Sequence, residues 1–267
     1  MYTISFIFSV FIWVACGQTH SIANQKTEAG VDTNSSILKK DTIPSKKEKF
    51  TVDYVMGHFD PATHPDFTAV DSKYADREGM FLRRDTYEAF RRMYEHALSA
   101  GIRLQIRSAT RNFDYQKGIW EAKWTGAKLI EGGENLAQTT PEPKERALKI
   151  LRYSAMPGSS RHHWGTDIDL NSFENSWFDE GDGLKMYKWL KRHAVDFGFC
   201  QPYTAGRLSG YLEERWHWSY MPISIGLTAL AKKDLKNEMI TGFKGSETAG
   251  MIDVVKKYVL GINEDCE

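Results

Sequence analysis

From Phe81 to Leu98, the apolar residues Tyr87, Phe90, Tyr94, Ala97 and Leu98 fall on one helical face. Asp85 is a candidate N-cap, and Gly101 marks the stop. The pattern then changes period. Ile102, Leu104 and Ile106 alternate with Arg103, Gln105 and Arg107, which predicts a strand that ends near Ser108 and Arg111. Residues 112–124 read as a second helix. Thr140-Pro141-Glu142 reads as the start of a third, leading into Arg146–Tyr153. Along Thr166–Leu170 polar and apolar residues alternate again. A half-buried strand there puts Asp167 and Asp169 on one face and Ile168 and Leu170 on the other. Leu184, Tyr187, Leu190, Ala194 and Phe197 return at helical spacing after Asp182 and stop at Gly198. The Tyr/Trp-rich stretch from Gly210 to Tyr220 predicts a strand, and helices are expected at Ile225–Leu235 and Ala249–Leu260. Helices and strands are interspersed without regular βαβ alternation, so the expected class is α+β.

The first fifty residues follow other rules. Ile4 to Ala15 is an apolar run, shorter than a bilayer span and suited to the core of an export signal. It ends Trp13-Val14-Ala15-Cys16-Gly17, which resembles a bacterial lipoprotein cleavage box with Cys16 as the lipidated residue. An ordinary cleaved signal with an incidental cysteine is the alternative. Residues 17–49 are rich in Ser, Thr, Asn and Lys and read as a disordered tether. Within it, Ser36-Ile37-Leu38-Lys39 has the Ser-x-x-Lys spacing of some serine enzymes. It lacks the partner motifs and a rigid scaffold, so it is read as chance. The expected organisation is a signal at 1–16, the tether, one domain at 50–262 and a short tail at 263–267. An exported chain also permits Cys200 and Cys266 to pair, the alternative being two separate thiols.

Lys+Arg and Asp+Glu are equal at 35 each, so no broad field draws the chain to nucleic acid. The only membrane association expected is through the N-terminal lipid. Hydrophobic residues at 41% suffice for one sizeable core.

The chemistry concentrates in three short segments. Ser160-Arg161-His162-His163-Trp164-Gly165-Thr166-Asp167-Ile168-Asp169 and Glu214-Arg215-Trp216-His217 offer two imidazoles and a carboxylate, His162, Asp169 and His217. Three such ligands leave a fourth tetrahedral position open on zinc. Glu214, three residues before His217, is placed to move protons there. Arg111, in Ser108-Ala109-Thr110-Arg111, is a cation for an oxyanion or, alternatively, a structural ion-pair partner. On a flat strand Glu214 and His217 would face opposite ways, so that segment must bend. Trp164 and Trp216 flank these residues and could wall a pocket. His163 reads as a supporting or surface residue, and His58 and His64 as structural.

Ser160, His162, Gly165 and Asp169 match the Ser-x-His-x-x-Gly-x-Ala-x-Asp signature, and Pro157-Gly158 precede it. Glu214-Arg215-Trp216-His217 is similar to Glu-Pro-Trp-His, and Ser108 to Gln116 to a Ser-Gly-x-Arg segment followed by Gln. With these motifs the chain resembles the VanY-like D-Ala-D-Ala carboxypeptidases, which belong to the LAS metallopeptidases with lysostaphin-type and hedgehog relatives. The resemblance runs from about residue 80 to 220. It implies a small antiparallel sheet carrying one zinc ion, with helices around it. His162, Asp169 and His217 would bind the zinc, Glu214 would be the base and Arg111 would face the scissile carbonyl. Ser160 and Gln116 would meet substrate, though Ser160 could instead cap local backbone and Gln116 could be an ordinary helix residue. The implied activity is removal of the terminal D-Ala from peptidoglycan stem peptides. An endopeptidase with the same chemistry and a zinc-containing wall-binding module are the alternatives. The implied place is the periplasm-facing cell envelope. Two positions depart from the pattern. Asp167 stands where the family has Ala, and it could bind a substrate amine, bias the metal or pair with an Arg. Arg215 stands in place of Pro.

Overall fold

A computed structural model of the chain describes residues 50–267. The expected signal, Cys16, the tether and the Ser36–Lys39 pattern lie outside the described residues.

Two antiparallel sheets organise the domain. Strands β1 (Phe67–Ala69) and β2 (Phe81–Arg83) form a short pair. The second sheet contains β3 (Ile106–Ser108), β4 (Asp167–Leu170), β5 (Phe199–Cys200) and β6 (His217–Tyr220). Its spatial order is β3-β4-β6-β5, and every neighbouring pair is antiparallel. Around the sheets lie α1 (Val52–Val55), α2 (Arg84–Ser99), α3 (Phe113–Trp124), α4 (Leu136–Thr139), α5 (Pro143–Ile150), α6 (Gly181–His193), α7 (Met221–Asp234) and α8 (Thr248–Ile252). The α+β class with a small antiparallel sheet is what the sequence led us to expect. Among the described residues no helix is long and apolar enough to cross a membrane.

Several boundaries differ from the sequence expectation, each for a local reason. Helix α2 begins at Arg84 because Phe81–Arg83 is paired in β2. Asp85 therefore sits in the first turn, where its Oδ1 accepts from Thr86 N at 2.7 Å. The strand expected from Ile102 starts only at Ile106, since Gln105 N donates to the Asn171 side chain instead of a ladder carbonyl. The third helix begins at Pro143, capped by Glu142 on Glu145 N, and Thr140 ends α4 instead. The stretch expected as a strand from Gly210 is loop up to Trp216, because Arg207 crosses it to bond Tyr211 O and Gly261 O. The last expected helix breaks at Asp253, which has φ 61°, before a π-helical turn at Val255–Val259.

On β4 and β6 successive side chains go to opposite faces, and both faces are covered. Ile168, Leu170 and Trp218 enter an apolar cluster with Phe90, Met93, Leu104, Ile106 and Phe178. Asp167, Asp169, His217 and Ser219 are the intervening residues and are buried as well. A second cluster, built on Trp120, Leu136, Ile150, Met156, Trp164 and Leu227, gathers α3, α4, α5 and α7. Polar residues so thoroughly covered need partners, and they find them in one another.

Candidate active site

Strand pairing brings the scattered segments together. Asp169 is opposite His217 in the β4–β6 ladder and opposite Ser108 in the β3–β4 ladder. His162 comes from a 3-10 turn, Arg161–Trp164, that feeds β4 through Gly165. Gly165 is left-handed, with φ 75°, and a Cβ there would lie 2.4 Å from the Phe67 ring and 2.8 Å from Arg83 Cγ. Both the conformation and the close approach therefore require glycine at this position. Arg111 N donates to His162 O at 3.1 Å, which ties the end of the β3 segment to the same turn.

The partners of His162 assign its ring nitrogens, whereas His217 faces a carboxylate at each nitrogen. His162 Nδ1 lies 2.9 Å from Ala109 O, an acceptor only, so Nδ1 carries the proton and Nε2 is left with a free lone pair. That Nε2 is 3.1 Å from Asp169 Oδ2. His217 Nε2 is 2.9 Å from Asp167 Oδ1, while its Nδ1 is 3.0 Å from Asp169 Oδ1 and 3.4 Å from Glu214 Oε2. Glu214 reaches this point because the chain bends: His217 N donates to Glu214 O in a turn just before β6.

His162, Asp169 and His217 form a group whose ligand atoms all lie within 4.8 Å of one another, which could hold a metal ion. It is the one such group among the described residues. A tetrahedral shell with bonds of about 2.0 Å places its ligand atoms roughly 3.3 Å apart, and the two histidines approach the Asp169 carboxylate at 3.1 and 3.0 Å. Asp169 Oδ1 is buried without a hydrogen bond of good geometry, its neighbour being His217 Nδ1 at 3.0 Å, which leaves both atoms available to an ion between them. The set therefore fits a divalent ion. His58 and His64 stay structural, the first near Asp53 and Phe113, the second packed among Tyr54, Phe59 and Phe67.

Electrostatics follow from the burial of so many charges. Burial alone would raise Asp169, but His162 and His217 hold it well below the usual carboxylate range. Burial likewise opposes ionisation of Asp167, and Arg161 and then His217 more than reverse that. Burial disfavours charge on His217, yet the Asp167, Asp169 and Glu214 carboxylates around it keep its pKa well above the ordinary histidine value. His162 is lowered by burial and by Arg111. Glu214 is raised by burial, which its contact with His217 only partly offsets. A carboxyl raised toward neutrality is suited to accepting and returning a proton.

A cleft of about 580 Å³ opens over this point, and Arg111, Ser160, His162, Asp169, Glu214 and His217 all line it. Arg111 Nε is buried without a hydrogen-bond partner. The Ser160 side chain makes no cap bond to the following turn, so of its two sequence readings the backbone cap is not observed. Trp216 lines the cleft. Trp164 does not; its indole N–H donates to Val55 O inside the core. Gln116 is not brought to the cleft either. It is fully buried, and its amide donates to Ala155 O at 2.8 Å, so it braces a cleft residue from behind. His163 is buried: its Nδ1 donates to Arg111 O and its Nε2 accepts from Gly158 N, and burial pushes its pKa down to about 3. Glu213 faces away and pairs with Arg215, which also pairs with Asp179.

Sequence reading passed over Tyr203 and Tyr211, both buried in the cleft wall. Tyr203 lies 4.7 Å, ring to ring, from His217, and Tyr211 has an unpartnered hydroxyl. Aromatic residues in a Gly/Ser-rich loop carry no period that would single them out.

The chain is similar to known proteins. The family described as VanY, D-alanyl-D-alanine carboxypeptidase, matches residues 79–223, more than half of the chain. YodJ of Bacillus subtilis (strain 168), described provisionally as a carboxypeptidase, is 23% identical over 172 residues. That alignment takes in 62% of this chain and 55% of YodJ, so the chain spans about half the length of that curated relative. Among solved structures, a point mutant of the vancomycin-resistance D,D-pentapeptidase VanY in complex with Zn(II) aligns with 22% identity over 65% of this chain and 88% of its own, at a TM-score of 0.45. The LD-carboxypeptidase LdcB aligns with 20% identity over 65% and 75%, at 0.47.

Proposed function

The chain belongs to the VanY family of D-alanyl-D-alanine carboxypeptidases, and from that premise we propose that it is a zinc-dependent peptidase of peptidoglycan stem peptides that removes the terminal D-Ala. The observation that carries the reading is the convergence of His162 Nε2, Asp169 and His217 Nδ1 at the floor of a cleft that also exposes Glu214 and Arg111. These three residues would hold one zinc ion. Bound there, zinc supplies Lewis acidity, lowering the pKa of water to about 7 and polarising an amide carbonyl.

The chain's own residues do the rest. Glu214 takes the proton of the attacking water and delivers it to the leaving amine nitrogen. Arg111, with a buried and otherwise unused Nε, faces the carbonyl oxygen as negative charge develops. Ser160 and the aromatic walls at Tyr203, Tyr211 and Trp216 hold the peptide and limit water. The N-terminal segment supports export to the cell envelope with Cys16 as a lipid anchor. In that case Cys16→Ser stays unprocessed or leaves the detergent phase; unchanged processing and partitioning would indicate an ordinary signal.

Mass spectrometry of stem peptides incubated with zinc-loaded protein tests the activity. Loss of a single D-Ala is expected, abolished by a chelator and restored by zinc. Cleavage inside the stem or crossbridge would make it an endopeptidase. Zinc binding without turnover would leave a wall-binding module.

A further inference from the structure

Asp167 has no counterpart in the signature, where the family has Ala, yet it is one of the most enclosed side chains in the protein, with no solvent exposure. Its carboxylate takes four hydrogen-bond contacts. Oδ1 meets Arg161 Nε at 3.2 Å and His217 Nε2 at 2.9 Å. Oδ2 accepts from Thr166 Oγ1 at 2.6 Å and from Ser219 Oγ at 3.0 Å. Arg161 is as deeply buried. It donates onward to Thr228 Oγ1 and Ser219 Oγ, and its guanidinium lies 4.3 Å over the Trp164 ring. A carboxylate alone in this place would lose its hydration with nothing to offset it. Arg161 neutralises it, and the hydroxyls satisfy its remaining lone pairs.

We infer that Asp167 is a positioning residue: it fixes His217 as the Nε2–H tautomer and aims the Nδ1 lone pair at the metal, with Arg161 as its buried counter-charge. Three of its four contacts are equally explained by filling the core. The fourth is different. Nδ1 and Nε2 are the only polar atoms of the imidazole, and a carboxylate on Nε2 leaves Nδ1 to the cluster of Asp169 and Glu214. A histidine ligand held by a carboxylate on its other nitrogen is more basic and loses less rotational freedom on binding metal. Strand register puts the acceptor in place: Asp167 is opposite Ser219, two residues beyond His217, on the same face of the ladder. The inference rests on the metal reading above.

Zinc affinity, measured by competition with a chromophoric chelator, separates the two readings. Asp167→Asn keeps the shape and removes the charge, and should bind zinc roughly 10–100-fold more weakly. Arg161→Met/Asp167→Ala removes both charges and restores the family's Ala. It should recover thermal stability relative to Asp167→Asn while zinc binding stays weak. Thr228→Val takes an acceptor from Arg161 without touching Asp167; it should lower stability and leave zinc affinity within about twofold. In ¹⁵N-histidine spectra of the zinc-loaded wild type, His217 should carry its proton on Nε2. A proton on Nδ1, or zinc affinity in Asp167→Asn equal to wild type, overturns the inference alone. A double variant that binds zinc as tightly as wild type does the same. A wild-type protein that takes up no zinc overturns the metal reading with it. The spectra keep the test decisive if the double variant does not fold.

Discussion

Glu213 and Glu214 are adjacent, identical and oppositely directed. Glu213 pairs with Arg215 toward Asp179, whereas Glu214 is buried beside His217 in the cleft. Glu214→Gln should therefore keep its fold and its zinc, and lose roughly 10²–10⁴-fold in rate, the usual worth of general acid–base catalysis. Glu213→Gln should stay close to wild type. Sensitivity at Glu213 instead would show that the bend before β6 is misplaced. Arg111→Ala should also retain zinc, with kcat/KM reduced on the order of 10²–10³-fold, as for one oxyanion donor. A variant with unchanged kcat/KM would reduce Arg111 to a structural cation. His162→Ala and His217→Ala should each lose stoichiometric zinc in metal analysis, and full occupancy in both would remove them as ligands.

The elements that carry these residues are short, so turns set their geometry more than strand length does. The 3-10 turn at Arg161–Trp164 presents His162 only because Gly165 can adopt φ 75° against Phe67 and Arg83. Gly165→Ala adds a left-handed alanine and an overpacked Cβ. It should destabilise the domain by about 2–5 kcal/mol in denaturant unfolding; a loss below about 1 kcal/mol would mean that the turn relaxes freely. The alternation in β4 was legible in the sequence, because period-two patterning places Asp167 and Asp169 opposite Ile168 and Leu170 wherever one face meets an apolar core. The long helices α2 and α6 were legible for the same reason at period 3.6. The strand expected over residues 210–216 was not formed, since aromatic richness suits a strand and a cleft wall equally, and Arg207 settled the matter through bonds to distant carbonyls.

At the scale of the molecule, the C-terminal end is tied to the cleft loop. Cys200 and Cys266 form a disulfide across 66 residues, and Asn263 N donates to Pro202 O nearby. Closing a loop of that length is worth up to about 4 kcal/mol in the chain-entropy account. Cys200→Ser/Cys266→Ser should lower unfolding stability by about 2–4 kcal/mol under oxidising conditions and have no effect beyond wild type under reducing ones. Equal stability of mutant and oxidised wild type would make the bond incidental. The sequence by itself determined which residue types could bind a metal, their order along the chain, the choice of Glu214 through the resemblance of its segment to Glu-Pro-Trp-His, and the α+β class, because local periodicity and short motifs carry that information. Only the tertiary structure decided which nitrogen of each histidine faces the metal point, that Asp167 serves His217 and Arg161, that Gln116 stands behind the cleft, that Tyr203 and Tyr211 wall it, and that the two cysteines pair. Those outcomes depend on contacts between residues such as Asp167 and His217, 50 positions apart, brought within hydrogen-bond reach by strand register and core packing, which no local pattern in the chain encodes.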